Sequence, residues 1–436
     1  MTATAQQPPL DEIPAQAAGA SEERTGLASP GGTITALIGA ASITLMSALL
    51  SVGITTMPLK ATEIDVATST TILAVANACA GAVALVLNPV MGRFSDRTLG
   101  RFGRRRPYIV AGSLLIVLGA FLMLRASNLA LVALAWAVMT VGQIAAQAGT
   151  FAIVPDQYDP ERRGVVSGII GVAGSAGVIL GLFIASLVSP NLALMIMLPA
   201  LLALVCNLAL VAVVKDEPIR PEDRPAFALR EAFGTFWVNP RQYPDFVFAL
   251  VSRFAVFWAI AAVNAYQAVY LIMGLGIPPE QIAGKMFLVN LISGGLALAF
   301  ATILGKVSDK VGRRKLFVII AAVVFAVGLG LIAHAHAFSA FVVGAAVMGI
   351  GMGTYLAVDF ALITQVLPDP SNPAKDLGIM NLASALPNIL VPAVAPALLA
   401  IGASATSPSN FTLFFAVAAV AGAIGALLII PIRGVK

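Results

Sequence analysis

The sequence is poor in charge, histidine and cysteine. Only 11% of its 436 residues are charged, against about a quarter in typical soluble domains. Both cysteines, Cys79 and Cys206, fall inside apolar stretches, so neither a disulfide framework nor a cysteine-based metal site is predicted. The basic residues stand in short segments between apolar ones, which argues against nucleic acid as a partner. No phosphate-binding loop, metal cluster or catalytic triad is recognisable, so we expect neither an enzyme nor a cofactor.

Long apolar runs are what the sequence has instead, with 59% hydrophobic residues. A membrane-spanning helix needs about 20 mostly apolar residues. The chain offers twelve such runs, which predicts an all-α membrane protein. Their predicted limits are 33–58, 70–91, 108–125, 129–154, 165–188, 191–214, 246–275, 283–304, 316–334, 338–367, 378–401 and 410–432.

The lysines and arginines predict how these helices are oriented, because cytoplasmic loops of membrane proteins are enriched in them. If the N-terminus is cytoplasmic, only Lys60, Arg125 and Lys285 lie in segments on the outer side. We therefore predict that both termini are cytoplasmic. The polar stretch 1–32 lacks a basic start and an apolar core, so we expect a disordered cytoplasmic tail rather than a signal peptide.

The chain repeats itself. The segment GRRRPYIV at Gly103 is followed 209 residues later by GRRKLFVI at Gly312, and TFAIV at Thr150 matches DFALI at Asp359 with the same offset. Each half then contains six helices, as in transporters built from two repeats. The predicted organisation is a bundle at 33–214, a cytoplasmic connector at 215–245 and a second bundle at 246–436.

The loops after the second helix of each half carry a resemblance to a known family. GRFSDRTLGRFGRRRPYI at Gly92 and GKVSDKVGRRKLFVI at Gly305 resemble the signature loop of the major facilitator superfamily. The longer first loop, with DLGIMNLASALPNI at Asp376, is similar to the sucrose/proton symporters and the glycoside–pentoside–hexuronide cation symporters. This resemblance implies the major facilitator fold and a transport function.

The resemblance also implies a cytoplasmic gate in these loops. Asp96 would meet the start of the eleventh helix and Asp309 the start of the fifth, because helix N-termini attract anions. Gly92 and Gly305 would let the helix ends turn. The gate residues of the two loops are Gly92, Asp96, Arg97, Arg104 and Arg105, and Gly305, Asp309, Lys310, Arg313 and Arg314.

Two charged residues fall well inside predicted spans, Arg253 in the seventh and Asp359 in the tenth. At 1.5 Å per residue they lie about 12 Å and about 13 Å from the inner ends of their helices. Intramembrane charges are costly and are functional candidates. Either Arg253 and Asp359 pair and couple transport to a cation, or Arg253 reaches the membrane surface and Asp359 meets a hydroxyl or water. The plant sucrose symporters carry an acid and an arginine in the fourth span, where this chain has Thr140 and Phe151.

Polar residues on the helices that line the cavity in this fold are candidates for substrate binding. They are Gln143 and Gln147 on the fourth helix, Asn264, Gln267 and Tyr270 on the seventh, and Tyr355 on the tenth. Amides donate and accept hydrogen bonds and aromatic rings stack on sugar faces, which suits a polyhydroxyl ligand. Hydrogen bonding between helices is the alternative for each of them.

The sequence therefore favours cation-coupled uptake of a sugar or glycoside, with a proton or sodium as the coupling ion. A proton-coupled exporter of drugs or metabolites shares the fold and is the alternative, and a non-transporting receptor is a remote one. The lipid bilayer is the expected environment, and we expect a monomeric, multi-pass protein of the cell membrane.

Overall fold

The computed structural model describes residues 31–98, 102–214, 216, 241–311, 314–363, 366–368, 373–403 and 409–432. Most of the predicted tail 1–32 and of the connector 215–245 lies outside these described residues.

Within the described residues the fold is entirely helical, and twelve helices are long and apolar enough to cross a membrane. The predicted all-α membrane fold of twelve helices is thereby confirmed. The helices are α1 (Gly32–Ile64), α2 (Ser69–Asp96), α3 (Arg106–Arg125), α4 (Leu129–Gln157), α5 (Pro160–Val188), α6 (Leu192–Val213), α7 (Pro244–Gly274), α8 (Pro279–Val311), α9 (Arg314–Ala333), α10 (Phe338–Ile363), α11 in two segments (Pro373–Ala385 and Pro387–Ala400) and α12 (Phe411–Ile429).

Several helices run beyond their predicted limits. Helix α2 continues to Asp96 and α8 to Val311, past the apolar runs that ended at 91 and 304. The apolar run marks the hydrocarbon layer, whereas backbone hydrogen bonding lets a helix continue through polar residues into water. As a result, α2 and α8 carry their basic residues beyond the apolar layer.

Packing follows the two halves. In the first half α1 packs against α5 and α6, while α3 and α2 both pack against α4. In the second half α10 packs against α8 and α9, and α12 packs against α7 and α9. The halves meet where α2 packs against the second segment of α11 and where α5 packs against α8.

Three helices depart from regular α geometry. Helix α1 passes through a π-helical turn at Val52–Thr56, and α7 ends in one at Tyr270–Gly274. Helix α11 is interrupted between Ala385 and Pro387. Proline has no N–H for the helical hydrogen bond and crowds the preceding turn, which explains why the interruption stands at Pro387.

Several contacts between the halves lie toward one end of the molecule. We call the end that carries the α2–α3 and α8–α9 connections the basic end, and the other the opposite end. At the opposite end, the contacts between the halves among the described residues include hydrogen bonds and a ring contact. These are Ser69 Oγ to Met273 Sδ (3.7 Å), Tyr266 Oη to the Thr70 carbonyl (3.4 Å), Ser189 Oγ to the Glu280 carbonyl (2.9 Å), and Phe183 with Phe287 (5.4 Å between ring centroids).

Some glycines toward the basic end face open space. A side chain added at Gly164 or Gly168 of α5, or at Gly378 of α11, would meet nothing within 4 Å. Farther along α5, one added at Gly181 would collide with Ser47 and Ser51 of α1, within the first half. The hydrogen bonds between the halves named above thus lie at the opposite end.

Candidate functional site

The second half contains a buried ion pair. The Arg253 guanidinium on α7 donates from Nη1 to Oδ2 of Asp359 on α10. The Asp359 side chain is 8% exposed and that of Arg253 is 14% exposed. The structure thus brings together the two charged residues that the sequence places inside spans. Their pairing offsets the cost of carrying either charge alone into the membrane.

Arg253 makes two further contacts with other edges of its guanidinium. Its Nε donates to Ser384 Oγ on α11 at 2.6 Å. The guanidinium carbon also lies 4.9 Å from the centroid of the Phe257 ring, one turn along α7, a cation–π geometry. One arginine therefore joins α7, α10 and the first segment of α11.

Tyr355 lies one turn before Asp359 on α10 and is 1% exposed. Its hydroxyl is a neighbour of the Asp359 carboxylate but makes no hydrogen bond of good geometry there. The predicted site residue Tyr355 is therefore beside the ion pair. A buried hydroxyl so close to a carboxylate is positioned to donate to it after a small adjustment.

The amides of α4 form a second group, in the first half. Gln143 Nε2 lies 3.4 Å from Gln147 Oε1 and 3.7 Å from Met46 Sδ of α1. Both glutamines are partly buried. In the repeat, Asp359 corresponds to Thr150, three residues from Gln147. At 1.5 Å per residue Gln147 and Asp359 therefore differ in depth by about 5 Å, and Gln143 and Asp359 by about 10 Å.

The three residues of the predicted polar stripe on α7 have different surroundings in the structure. Asn264 is exposed, whereas Gln267 is 3% exposed. Tyr270 packs against Phe341, Phe411 and Phe415, and its hydroxyl donates to the Ala335 carbonyl at 2.5 Å.

The position of Tyr270 has a simple geometric reason. At 100° per residue it lies about 100° around the helix from Arg253, on a different face. Its ring and hydroxyl are taken up by the core of the second half, so Tyr270 packs helices together and does not join Arg253 in a binding surface. The prediction that it extends the α7 stripe is wrong.

Helix α11 contributes a polar stripe that the sequence analysis did not assign. Asn381, Ser384 and Asn388 recur at helical spacing; both asparagines are exposed and Ser384 is partly buried. The Asn388 side chain donates to the Ser384 carbonyl at 3.2 Å across the interruption of the helix. Three polar residues at this spacing in an apolar span could have predicted the stripe from the sequence.

The basic end of the first half holds a cluster of charges. Asp156, near the end of α4, accepts from Arg104 Nη2 at 2.8 Å and from Arg105 Nε at 2.9 Å. Arg105 also donates from Nη1 to Ser95 Oγ at 2.9 Å and is 5% exposed. Asp156 therefore fixes the connection between α2 and α3 against α4, a role that the sequence analysis did not predict.

The same connection is held from a second side by Asp216. Its Oδ2 accepts from the backbone N–H groups of Arg105 (2.6 Å) and Arg106 (2.9 Å) at the start of α3. A carboxylate here satisfies free N–H groups and meets the positive end of the helix dipole. Gly103 has a φ of 87°, and any side chain on it would collide with Asp216.

The remaining predicted gate residues are placed as follows. Gly92 and Gly305 lie inside α2 and α8, so the prediction that they let these helix ends turn is wrong. The physical reason is that both helices continue for another turn or more. Arg97 follows α2 directly, and Lys310 is exposed near the end of α8. The side chains of Asp96, Asp309 and Arg314, and residue Arg313, lie outside the described part of the structure.

Comparison with known proteins agrees with this architecture. The sequence profile of the Major Facilitator Superfamily matches residues 33–301 and 288–435. The multidrug resistance protein MdtL of Klebsiella pneumoniae (strain 342) is 36% identical over 112 residues. That stretch is 26% of this chain and 26% of MdtL, so only about a quarter of either protein is matched.

Solved structures match over nearly the whole chain. The nucleoside transporter NupG superposes with a TM-score of 0.72 at 12% identity, covering 92% of this chain and 98% of that one. A D-xylose–proton symporter gives a TM-score of 0.65 at 15% identity, with coverage of 92% and 97%. Identities this low show the shared fold alone. Since the profile spans both halves, this chain belongs to the Major Facilitator Superfamily, a family of multi-pass membrane transporters rather than enzymes.

Proposed function

We propose that the protein is a secondary transporter that takes up a sugar or glycoside together with a cation, most simply a proton, by alternating access. The observation that carries the proposal is the buried Arg253–Asp359 pair. A charged residue at the bilayer centre costs about 2.5–3.5 kcal/mol on insertion scales, so a retained pair needs a function. In this proposal the basic end and both termini face the cytoplasm, and the protein works as a monomer.

The chemistry of coupling follows from the pair. With Asp359 ionised, its carboxylate and Arg253 neutralise each other. A proton added to the carboxylate removes one charge and leaves the guanidinium with its hydroxyl and ring contacts alone. The two charge states favour different arrangements of α7, α10 and α11, which links proton binding to conformation. Asp359 is the proton site of this proposal, and Arg253 is its charge partner.

The proposed substrate surface combines the two halves. Gln143 and Gln147 would offer amide donors and acceptors from one side. The exposed Asn264 of α7 would offer the same chemistry from the other, with the buried Gln267 behind it. Two proteins of the same fold are named for related solutes, D-xylose and nucleosides, which carry several hydroxyl groups. That likeness supports a polyhydroxyl substrate.

The gate at the basic end remains part of the proposal. In the closed state Asp96 would approach the start of α11 and Asp309 the start of α5, where free N–H groups attract a carboxylate. Arg97, Lys310, Arg313 and Arg314 would balance these acids. The clamp of Asp156 on Arg104 and Arg105 supports a loop rigid enough to bear such a contact.

A proton-coupled exporter of drugs or metabolites is the second candidate. The 36% identity to MdtL over 112 residues favours it. Phe254 and Trp258, whose ring centroids are 6.0 Å apart, adjoin Arg253 and Phe257 on α7 and would suit a flat apolar solute. The same charge pair would then drive export in exchange for protons.

Transport by the purified protein in liposomes distinguishes these candidates. The test measures uptake of labelled pentoses, hexoses, disaccharides and one lipophilic cation under an imposed pH gradient, then under a sodium gradient. Symport predicts sugar uptake down the proton gradient that a protonophore abolishes. Uptake driven only by sodium would replace the proton with sodium. Movement of the lipophilic cation against the proton gradient, without sugar flux, would overturn symport in favour of export.

A further inference from the structure

The first segment of α11, Pro373–Ala385, is held differently from the second. The second segment, Pro387–Ala400, packs against α2, α7 and α12, whereas the first packs chiefly against α7. The interruption at Leu386 separates the two, because Pro387 removes a helical N–H. The first segment can therefore move relative to the second, and its attachment to α7 is the contact that such a movement must change.

Ser384 lies in this first segment, next to the interruption. Its Oγ accepts from Arg253 Nε at 2.6 Å and faces the Met380 carbonyl at 3.3 Å as a donor. With its proton directed to Met380, the hydroxyl offers a lone pair to the guanidinium. A planar guanidinium fixed at Nε has its orientation set, and this orientation points Nη1 at Asp359.

We propose that Ser384 is a positioning residue for coupling. It orients Arg253 toward Asp359, and through this contact the position of the first segment of α11 depends on the charge of Asp359. The proposal rests on the proposed function in that Asp359 is the group whose charge changes. While Asp359 is ionised, Arg253 is drawn to α10 and Ser384 holds the segment to it. When Asp359 is neutral, Arg253 loses its anchor on α10, so its guanidinium can turn. A turn breaks the hydrogen bond from Nε to Ser384 and frees the segment to move.

The groups that face Asp359 support a local switch. Arg253 on α7 and Tyr355 on α10 act on its carboxylate. On the neighbouring helices, Lys306 and Lys310 of α8 are exposed near the basic end. Lys315 of α9 donates to the Ile430 and Ile432 carbonyls beside α12. Among the described residues, Arg253 is therefore the basic group paired with Asp359, and Ser384 is a hydroxyl that orients it.

Hydrogen exchange of the full-length protein in nanodiscs tests this without knowledge of the substrate. The readout is the protection of amides in 373–385, corrected for intrinsic rates, at pH ~8 and pH ~5, a range that brackets titration of a coupled carboxylate. The wild type should lose about tenfold in protection on acidification, since a hydrogen bond to a charged group is at stake. Ser384→Ala should have that low protection at both pH values, and Ser384→Thr, which keeps the hydroxyl, should restore the difference.

Ser252→Ala is the matched control. Ser252 precedes Arg253 on α7, but its hydroxyl donates to the Gly425 carbonyl of α12 at 2.7 Å, away from the ion pair. This variant should keep the wild-type dependence on pH in 373–385. A wild-type pH dependence retained in Ser384→Ala would overturn the positioning role. Absence of cation-coupled sugar flux in liposomes would instead overturn the proposed function, so the two failures are distinguishable.

Discussion

The two halves share one repeat but place their carboxylates differently. Helix α4 of the first half has Asp156 near its end, holding Arg104 and Arg105. At the corresponding position of the second half the chain has Gln365. Conversely, Asp359 lies within α10, and its counterpart in α4 is Thr150, whose hydroxyl donates to the Ala146 carbonyl of its own helix at 2.9 Å. The repeat fixes the backbone, while the charges are free to differ.

The surroundings of the two carboxylates explain what each is suited for. The Asp156 side chain is 22% exposed and accepts from two arginines, so two cations hold it in place at the edge of the water. The Asp359 side chain is 8% exposed and has Arg253 as its basic partner. Neutralising one member of a buried ion pair changes the electrostatic energy far more than neutralising one member of a solvent-exposed pair. The first half thus has a carboxylate held by two arginines, and the second has the pair that we propose as the coupling site.

The largest effect is expected when only one member of the buried pair is neutralised. Asp359→Asn leaves Arg253 without its counter-charge, and Arg253→Gln leaves Asp359 without its own, at a cost of about 3–5 kcal/mol each. The thermal unfolding temperature of the purified protein should fall in both variants, and gradient-driven uptake should be lost.

The double variant Arg253→Gln/Asp359→Asn sharpens the contrast between stability and coupling. With both charges gone, most of the lost stability should return, because no charge remains buried without a partner. Transport should still fail to respond to the proton gradient. If the double variant concentrated substrate as the wild type does, the switch would have to lie elsewhere than in this pair.

A smaller effect is expected from Asp156→Asn in the first half. The amide keeps the shape but loses the charge that two arginines share, a loss of about 1–3 kcal/mol for a partly exposed site. We expect the connection between α2 and α3 to be cleaved faster by added trypsin, with binding of substrate unchanged. The Arg104→Gln variant should show a weaker version of the same change, because the buried Arg105 would still reach Asp156. Equal cleavage of Asp156→Asn and the wild type would contradict the clamp.

Much of the fold could be predicted from the sequence, because a bilayer imposes long apolar runs. All twelve helices were expected near their observed positions. The excess length of α2 and α8 was missed, since hydropathy detects the hydrocarbon layer and not the end of backbone hydrogen bonding. The role of Gly92 was also misjudged: the glycine that needs its freedom is Gly103, where the backbone has positive φ and Asp216 leaves no room for a side chain.

The site could be predicted less completely, because contacts between distant helices are invisible in a single sequence. Arg253 and Asp359 stood out as lone charges in apolar spans. Ser384 did not, since a serine in a membrane helix is common and its role depends on which helix faces it. Tyr270 was assigned to the α7 stripe although the helical repeat places it on another face. Counting 100° steps would have corrected Tyr270, whereas only coordinates could join Ser384 to Arg253.

The smallest effect is expected at the amides of the first half. Gln147→Ala removes one neutral hydrogen-bonding group, worth about 0.5–1.5 kcal/mol, so KM for the transported solute should rise roughly two- to tenfold. The maximal rate and its dependence on pH should stay as in the wild type, because in the proposed mechanism the first half contributes binding and not charge switching. Thr302→Val, whose hydroxyl donates within its own helix to the Leu298 carbonyl, is the control and should leave KM unchanged. A shift of the pH profile in Gln147→Ala would mean that the first half takes part in coupling, and the division of labour between the halves would have to be abandoned.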